Sequence, residues 1–179
     1  MHAALLVAFV FLAGCGGDAN SPAGRAASLR VALQRYLAQV EPVRIGVNQL
    51  LEGADPILGA YRRHRISAAR ASARMSALER RFAAYTNDIA AIRPEATLRG
   101  LHDEYAQTYV LEDAFLSAMV SGLAQHDLGN LPNTQAAQRA AIIRWRTGLT
   151  VLARSAGFAL PADLQQAGRG EIAPSPGGS

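Results

Sequence analysis

The chain holds 179 residues, half of them hydrophobic, with 18 cationic residues against 14 acidic ones and a net charge of +4. Every cation is arginine and lysine is absent, a composition that a GC-rich genome produces without any ligand being implied. A single cysteine excludes an intrachain disulfide, a cysteine-based zinc site and CxxCH haem attachment, so one domain of this length has to be held by packing alone.

The first element is an unbroken apolar run from Ala3 to Ala13. It is shorter than the roughly 20 residues that a membrane-spanning helix needs, and it has the length of a signal-peptide core. It closes on Leu12-Ala13-Gly14-Cys15, which contains the only cysteine of the chain. This segment resembles the signal peptide and lipobox of bacterial lipoproteins: leucine at −3, small residues at −2 and −1, cysteine at +1. The n-region departs from that pattern in holding only Met1-His2. The resemblance implies cleavage between Gly14 and Cys15 and loss of residues 1–14. It also implies a diacylglyceryl thioether on Cys15 and a place outside the cytoplasm on a membrane of the cell envelope. Two or more acyl chains anchor stably, whereas one is marginal at about 0.8 kcal/mol per buried CH2. Gly16 stands where lipoproteins kept in the inner membrane often carry Asp.

Residues 15–24 read as a flexible tether of small residues. From Arg25 to Gly157 the pattern predicts a four-helix domain. Leu29, Leu33, Tyr36, Val40, Val43, Val47 and Leu50 form a heptad seam on the first helix. Pro42 interrupts that seam and predicts a kink near Ala38. Gly53-Ala54-Asp55-Pro56 stops the first helix and starts a second, with Asp55 as cap and Pro56 at the first position. The second seam runs without a break from Ile57 through Tyr61, His64, Ala68, Ala71, Met75, Leu78, Phe82, Tyr85 and Ile89 to Ile92. Its alanine-rich part admits a close neighbour, either another helix of the chain or a second copy. Pro94 and Glu95 predict the start of a third helix, whose apolar face carries Leu98, Leu101, Tyr105, Tyr109, Leu116, Met119 and Leu123. The segment 129–133 is the next turn. A fourth helix carries Ile142, Trp145, Leu149, Leu152 and Ala156, and Gly157 stops it. Residues 158–179 read as a short helical turn followed by a disordered Gly/Pro/Ser tail. The pattern predicts an all-α fold, an antiparallel up-down four-helix bundle.

No catalytic or metal signature emerges. Glu79, Glu95, Glu104 and Glu112 are followed three residues later by Phe82, Leu98, Gln107 and Phe115, so the Glu-x-x-His pairs of di-iron bundles are absent. His-x-x-x-His, Gly-x-Ser-x-Gly and glycine-rich phosphate loops are absent too. Sparse aromatics argue against stacking on nucleic acid. The sequence implies no cofactor and no metal.

Two features remain. Glu112 sits in the middle of an apolar face, where a carboxylate needs a partner or takes up a proton. Counting back through the Arg93-Pro94 turn puts Arg74 opposite it, and predicts an Arg74–Glu112 ion pair with Asp113 as the other acceptor. That pair serves either to fix register or to contact a ligand. Arg62, Arg63 and Arg65 crowd the start of the second helix, where cations are disfavoured, and have no acid to match them. His126 and Asp127 are expected near them. This cluster lies at the end of the bundle far from Cys15 and suits an acidic envelope protein or a polyanion. The sequence therefore points to a lipid-anchored envelope protein with a binding or structural role and no catalytic one. The alternative is a small-molecule binding protein with a pocket between helices near Glu112, Trp145 and Tyr36.

Overall fold

The computed structural model describes residues 21–165. The apolar run, Gly14, Cys15 and the segment beyond 165 lie outside the described residues. The fold is all-α, and no strand occurs among the described residues. Four long helices carry it: α1 (Pro22–Leu51), α3 (Ala68–Ala91), α4 (Arg99–Gln125) and α5 (Gln135–Ser155). A short α2 (Ala54–Arg62) links α1 to α3, and a 3-10 turn at Ala96–Leu98 precedes α4.

α1 begins at Pro22, three places before the expected start at Arg25, so residues 22–24 belong to the helix and not to a tether. Ser21 caps it by accepting a bond from the Gly24 amide at 3.0 Å, and Pro22 occupies the first turn, where its missing N–H costs nothing. The helix continues through Pro42.

The long second seam is two helices. α2 ends in a Schellman arrangement with His64 in the left-handed region at φ 54°. The His64 amide donates to the Tyr61 carbonyl and the Arg65 amide to the Ala60 carbonyl. Ser67 then restarts the chain as the cap of α3, its Oγ accepting from the Arg70 amide at 3.2 Å. The same C-terminal arrangement recurs twice. His126 closes α4 at φ 61°, and Gly157 closes α5 at φ 58°.

The turn from α3 to α4 is longer than the sequence suggested. Arg93 precedes a proline and is biased away from helix. Residues 92–95 are accordingly extended, and Pro94 does not begin a helix. Arg93 Nη1 instead caps α3 by donating to the Ala90 and Ile92 carbonyls at 2.6 and 3.1 Å.

α3 packs on α4, with Ser72 bonding the Val120 carbonyl and Phe82 stacking on Tyr109. α4 packs on α5 through Tyr105 and Trp145. Leu33, Tyr36, Met75, Phe82, Tyr105, Leu116, Trp145 and Leu149 are among the fully enclosed core residues. Beyond α5, residues 158–165 fold back over the core and bury Leu160 and Leu164. Arg44, 4 % exposed, grips Glu41 with two bonds (3.0 and 2.7 Å) and also holds Asp163, which ties this last segment to α1. Burial raises the Asp163 carboxyl, but the hydrogen bond and charge of Arg44 outweigh it and hold the group below the usual carboxylate value.

The two ends of the break at 63–67 respond oppositely to substitution. His64→Gly relieves a left-handed side-chain conformation and raises the thermal midpoint, by about 1 kcal/mol of stability. Ser67→Ala removes the cap of α3 and costs about 1 kcal/mol. Thermal unfolding followed by circular dichroism reads both changes.

Candidate functional site

The basic corner is built where α2 breaks from α3. Arg62 is the last residue of α2 and Arg63 its C-cap, so both stand at a helix C-terminus, where cations are favoured. This corrects their expected place at a helix N-terminus, and the reason is the left-handed turn at His64. Arg62, His64 and Arg65 line a recess of about 560 Å³ with Tyr61, Ile66, Ser67 and, from the end of α4, His126. His126 is thus near the cluster, as expected. Arg63 is not in the recess; its guanidinium lies back along α2 over Gly59. Asp127 turns away to hold its own loop, accepting from the Gly129 amide at 2.8 Å and the Asn130 side chain at 2.7 Å. The recess has no acidic side chain in its lining.

Arg74 and Glu112 do not meet. The extra residues of the 92–98 turn shift the register of α4, so Glu79 and not Arg74 lies level with the Glu112 region: Ser117 Oγ donates to Glu79, and Asp113 feels its charge. Burial first, then that neighbouring charge, pushes the Asp113 carboxyl up, and no ion pair joins Asp113 to Arg74 among the described residues. Arg74 is exposed and faces a groove shared with α1.

Glu112 is as deeply placed as the sequence suggested, at 1 % exposure. Its partner is Gln138 of α5, whose Nε2 donates to Glu112 Oε2 at 2.8 Å and also approaches the Thr108 carbonyl at 3.4 Å. Glu112 Oε1 has no hydrogen-bond partner among the described residues. Burial pushes the carboxyl up to about 7, and the Gln138 bond offsets only part of that. Sequence reasoning missed Gln138 because a glutamine in the polar first turn of α5 carries no mark of burial.

Tyr36, Trp145 and Tyr105 fill the interior where a pocket was anticipated. Trp145 Nε1 donates to Tyr36 Oη at 3.1 Å, and the Trp145 and Tyr105 rings stack at 4.0 Å. His102 is 4 % exposed and meets Tyr36 edge-on at 5.7 Å. Burial lowers its pKa, more than the charge of Asp103 and a bond to the Ile89 carbonyl raise it. No group of three or more metal-ligating side chains occurs among the described residues. No helix among them is long and apolar enough to cross a membrane.

Glu112 makes stability depend on pH. Its folded pKa of about 7 lies above the unfolded value of 4.5. Between those values the unfolded chain has released a proton that the native state retains, so stability falls as pH rises from about 4.5 to about 7 and is level above. Glu112→Gln removes this contribution. The difference in unfolding free energy between variant and wild type grows by up to about 3 kcal/mol in favour of the variant across that window, as urea titrations at several pH values will show.

No protein-family model matches this chain, and no curated protein or solved structure matches it.

Proposed function

We propose that the protein is a lipid-anchored lipoprotein of the cell envelope, serving a binding or structural role without catalysis. The observation that carries the proposal is Leu12-Ala13-Gly14-Cys15 closing an apolar run of signal-peptide length. Cys15 is the lipidated residue, and cleavage falls between Gly14 and Cys15. The domain it anchors is an antiparallel up-down four-helix bundle. Rising numbers on one helix meet falling numbers on the next, as in Ser72 with Val120 and Phe82 with Tyr109, and that sense of pairing supports the arrangement.

The basic corner is the surface this bundle presents. α1 has 30 residues and so spans about 45 Å. It starts close after Cys15 and ends beside α2, so an upright bundle holds Arg62, Arg63 and Arg65 well away from the anchoring bilayer. Lipid headgroups of that bilayer are then out of reach, and an acidic envelope protein or a polyanion is the partner. Arginine suits such a partner, because its planar fork pairs bidentately with carboxylate and phosphate.

Cys15→Ser tests the anchor. In bacterial cells the wild-type chain takes up labelled palmitate, loses its leader and sediments with membranes. The serine variant takes up no label and retains the leader. Equal labelling and equal mass in both would contradict lipidation. The corner is tested by salt elution from immobilised heparin. Arg62→Gln/Arg63→Gln/Arg65→Gln elutes at clearly lower salt than Arg80→Gln/Arg99→Gln/Arg139→Gln, which removes the same charge elsewhere. Equal elution of the two triple variants sinks the corner as a specific anion surface.

A further inference from the structure

Arg74 and Arg81 lie on one face of α3, about 10 Å apart along the axis. Both line an open groove of about 520 Å³ that α3 shares with α1 and α2. Neither makes a hydrogen bond or ion pair with any described residue, whereas Arg80 between them donates to Ser76 Oγ at 2.8 Å. No acidic side chain lines the groove, so the two guanidinium groups share it without a counter-charge. Its walls are apolar lower down, where Leu50, Ile57 and Leu78 stand.

Gly46 admits a further polar group to the groove. A Cβ at that position would stand 2.5 Å from Tyr85 Oη and 2.8 Å from the ring, so only glycine lets the Tyr85 phenol lie against α1. Tyr85 and the Gln49 amide therefore border the same space as the two arginines. Cations above an apolar floor, with neutral donors beside them, form a site for a molecule that is anionic at one end and apolar at the other.

We propose that this groove binds a small organic anion with an apolar tail. Arg74 and Arg81 hold a phosphate or carboxylate head, Tyr85 and Gln49 donate to it, and the tail lies on Leu50, Ile57 and Leu78. The site is separate from the basic corner and from the lipid anchor. It places small-molecule binding at the surface between α1 and α3 and not in the aromatic interior.

The test is titration calorimetry on the full chain in a non-ionic detergent. The probes are hexyl phosphate, heptanoate, inorganic phosphate, hexanol and a short-chain phosphatidylglycerol. At least one of hexyl phosphate and heptanoate saturates a single site, and inorganic phosphate and hexanol bind at least tenfold more weakly. Whichever of the two acids binds identifies the head. Phosphatidylglycerol binding more tightly than hexyl phosphate makes the source a lipid headgroup, and weaker binding makes it a free anion. Arg74→Gln/Arg81→Gln lowers the affinity at least tenfold. Gly46→Ala, which displaces Tyr85, lowers it several-fold while helical content is retained. The Arg62, Arg63 and Arg65 triple variant and Cys15→Ser bind within twofold of wild type. Saturation by neither acid, equal binding of inorganic phosphate, or unchanged affinity in Arg74→Gln/Arg81→Gln overturns the proposal.

Discussion

A continuous run of ring contacts ties the four long helices together. It starts at His102, passes edge-on to Tyr36, crosses by hydrogen bond to Trp145 and stacks onto Tyr105. From there it turns edge-on to Tyr109 and ends against Phe82 at 5.9 Å. Each aromatic pair contributes about 0.5–1.5 kcal/mol beyond the area it buries, and the geometry is directional. With one cysteine in the chain, no disulfide performs this task. Two pairs of polar tips meet within the run: Trp145 donates to Tyr36, and the Tyr105 and Tyr109 hydroxyls meet at 3.2 Å, whereas His102 Nδ1 has no hydrogen-bond partner among the described residues. Burial holds the Tyr36 phenol far above its ordinary pKa, so it stays neutral at any physiological pH.

The exceptions to this apolar interior mark where specificity is set. Glu112 and Gln138 pin α4 to α5 through a group that costs free energy when ionised, which disfavours other registers of those two helices more than it strengthens this one. Arg44 with Glu41 and Asp163 does the same for α1 and the final segment. The arginines of α2 and α3 stay on the outside. No ion pair joins α3 to α4 among the described residues, and a basic surface is left on α2 and α3.

Much of this was legible from residue spacing. The seams on α1, α3, α4 and α5 name most of the core, and Gly157 announces the end of α5. His64 hid the break between α2 and α3 because a histidine in the left-handed region lacks the glycine signal of such a stop. Pro94 misled for a related reason. It suits the first turn of a helix, but the residue before it resists helix, and the extended bridge that results moved Arg74 away from Glu112. Arg44 escaped notice because its acceptor Asp163 lies at the other end of the described chain, and pairing over that separation leaves no local pattern. The groove at Arg74 and Arg81 was hidden likewise, since it needs Gly46 of α1 to bring Tyr85 down beside them.

Trp145 is the only tryptophan in the chain, and its fluorescence reports directly on the ring contacts. The most direct measurement is urea unfolding followed at once by Trp145 fluorescence and by helical circular dichroism. If the aromatic run holds the helices together, the two transitions coincide in midpoint and slope. A fluorescence transition completed while helix content is still native would contradict that account.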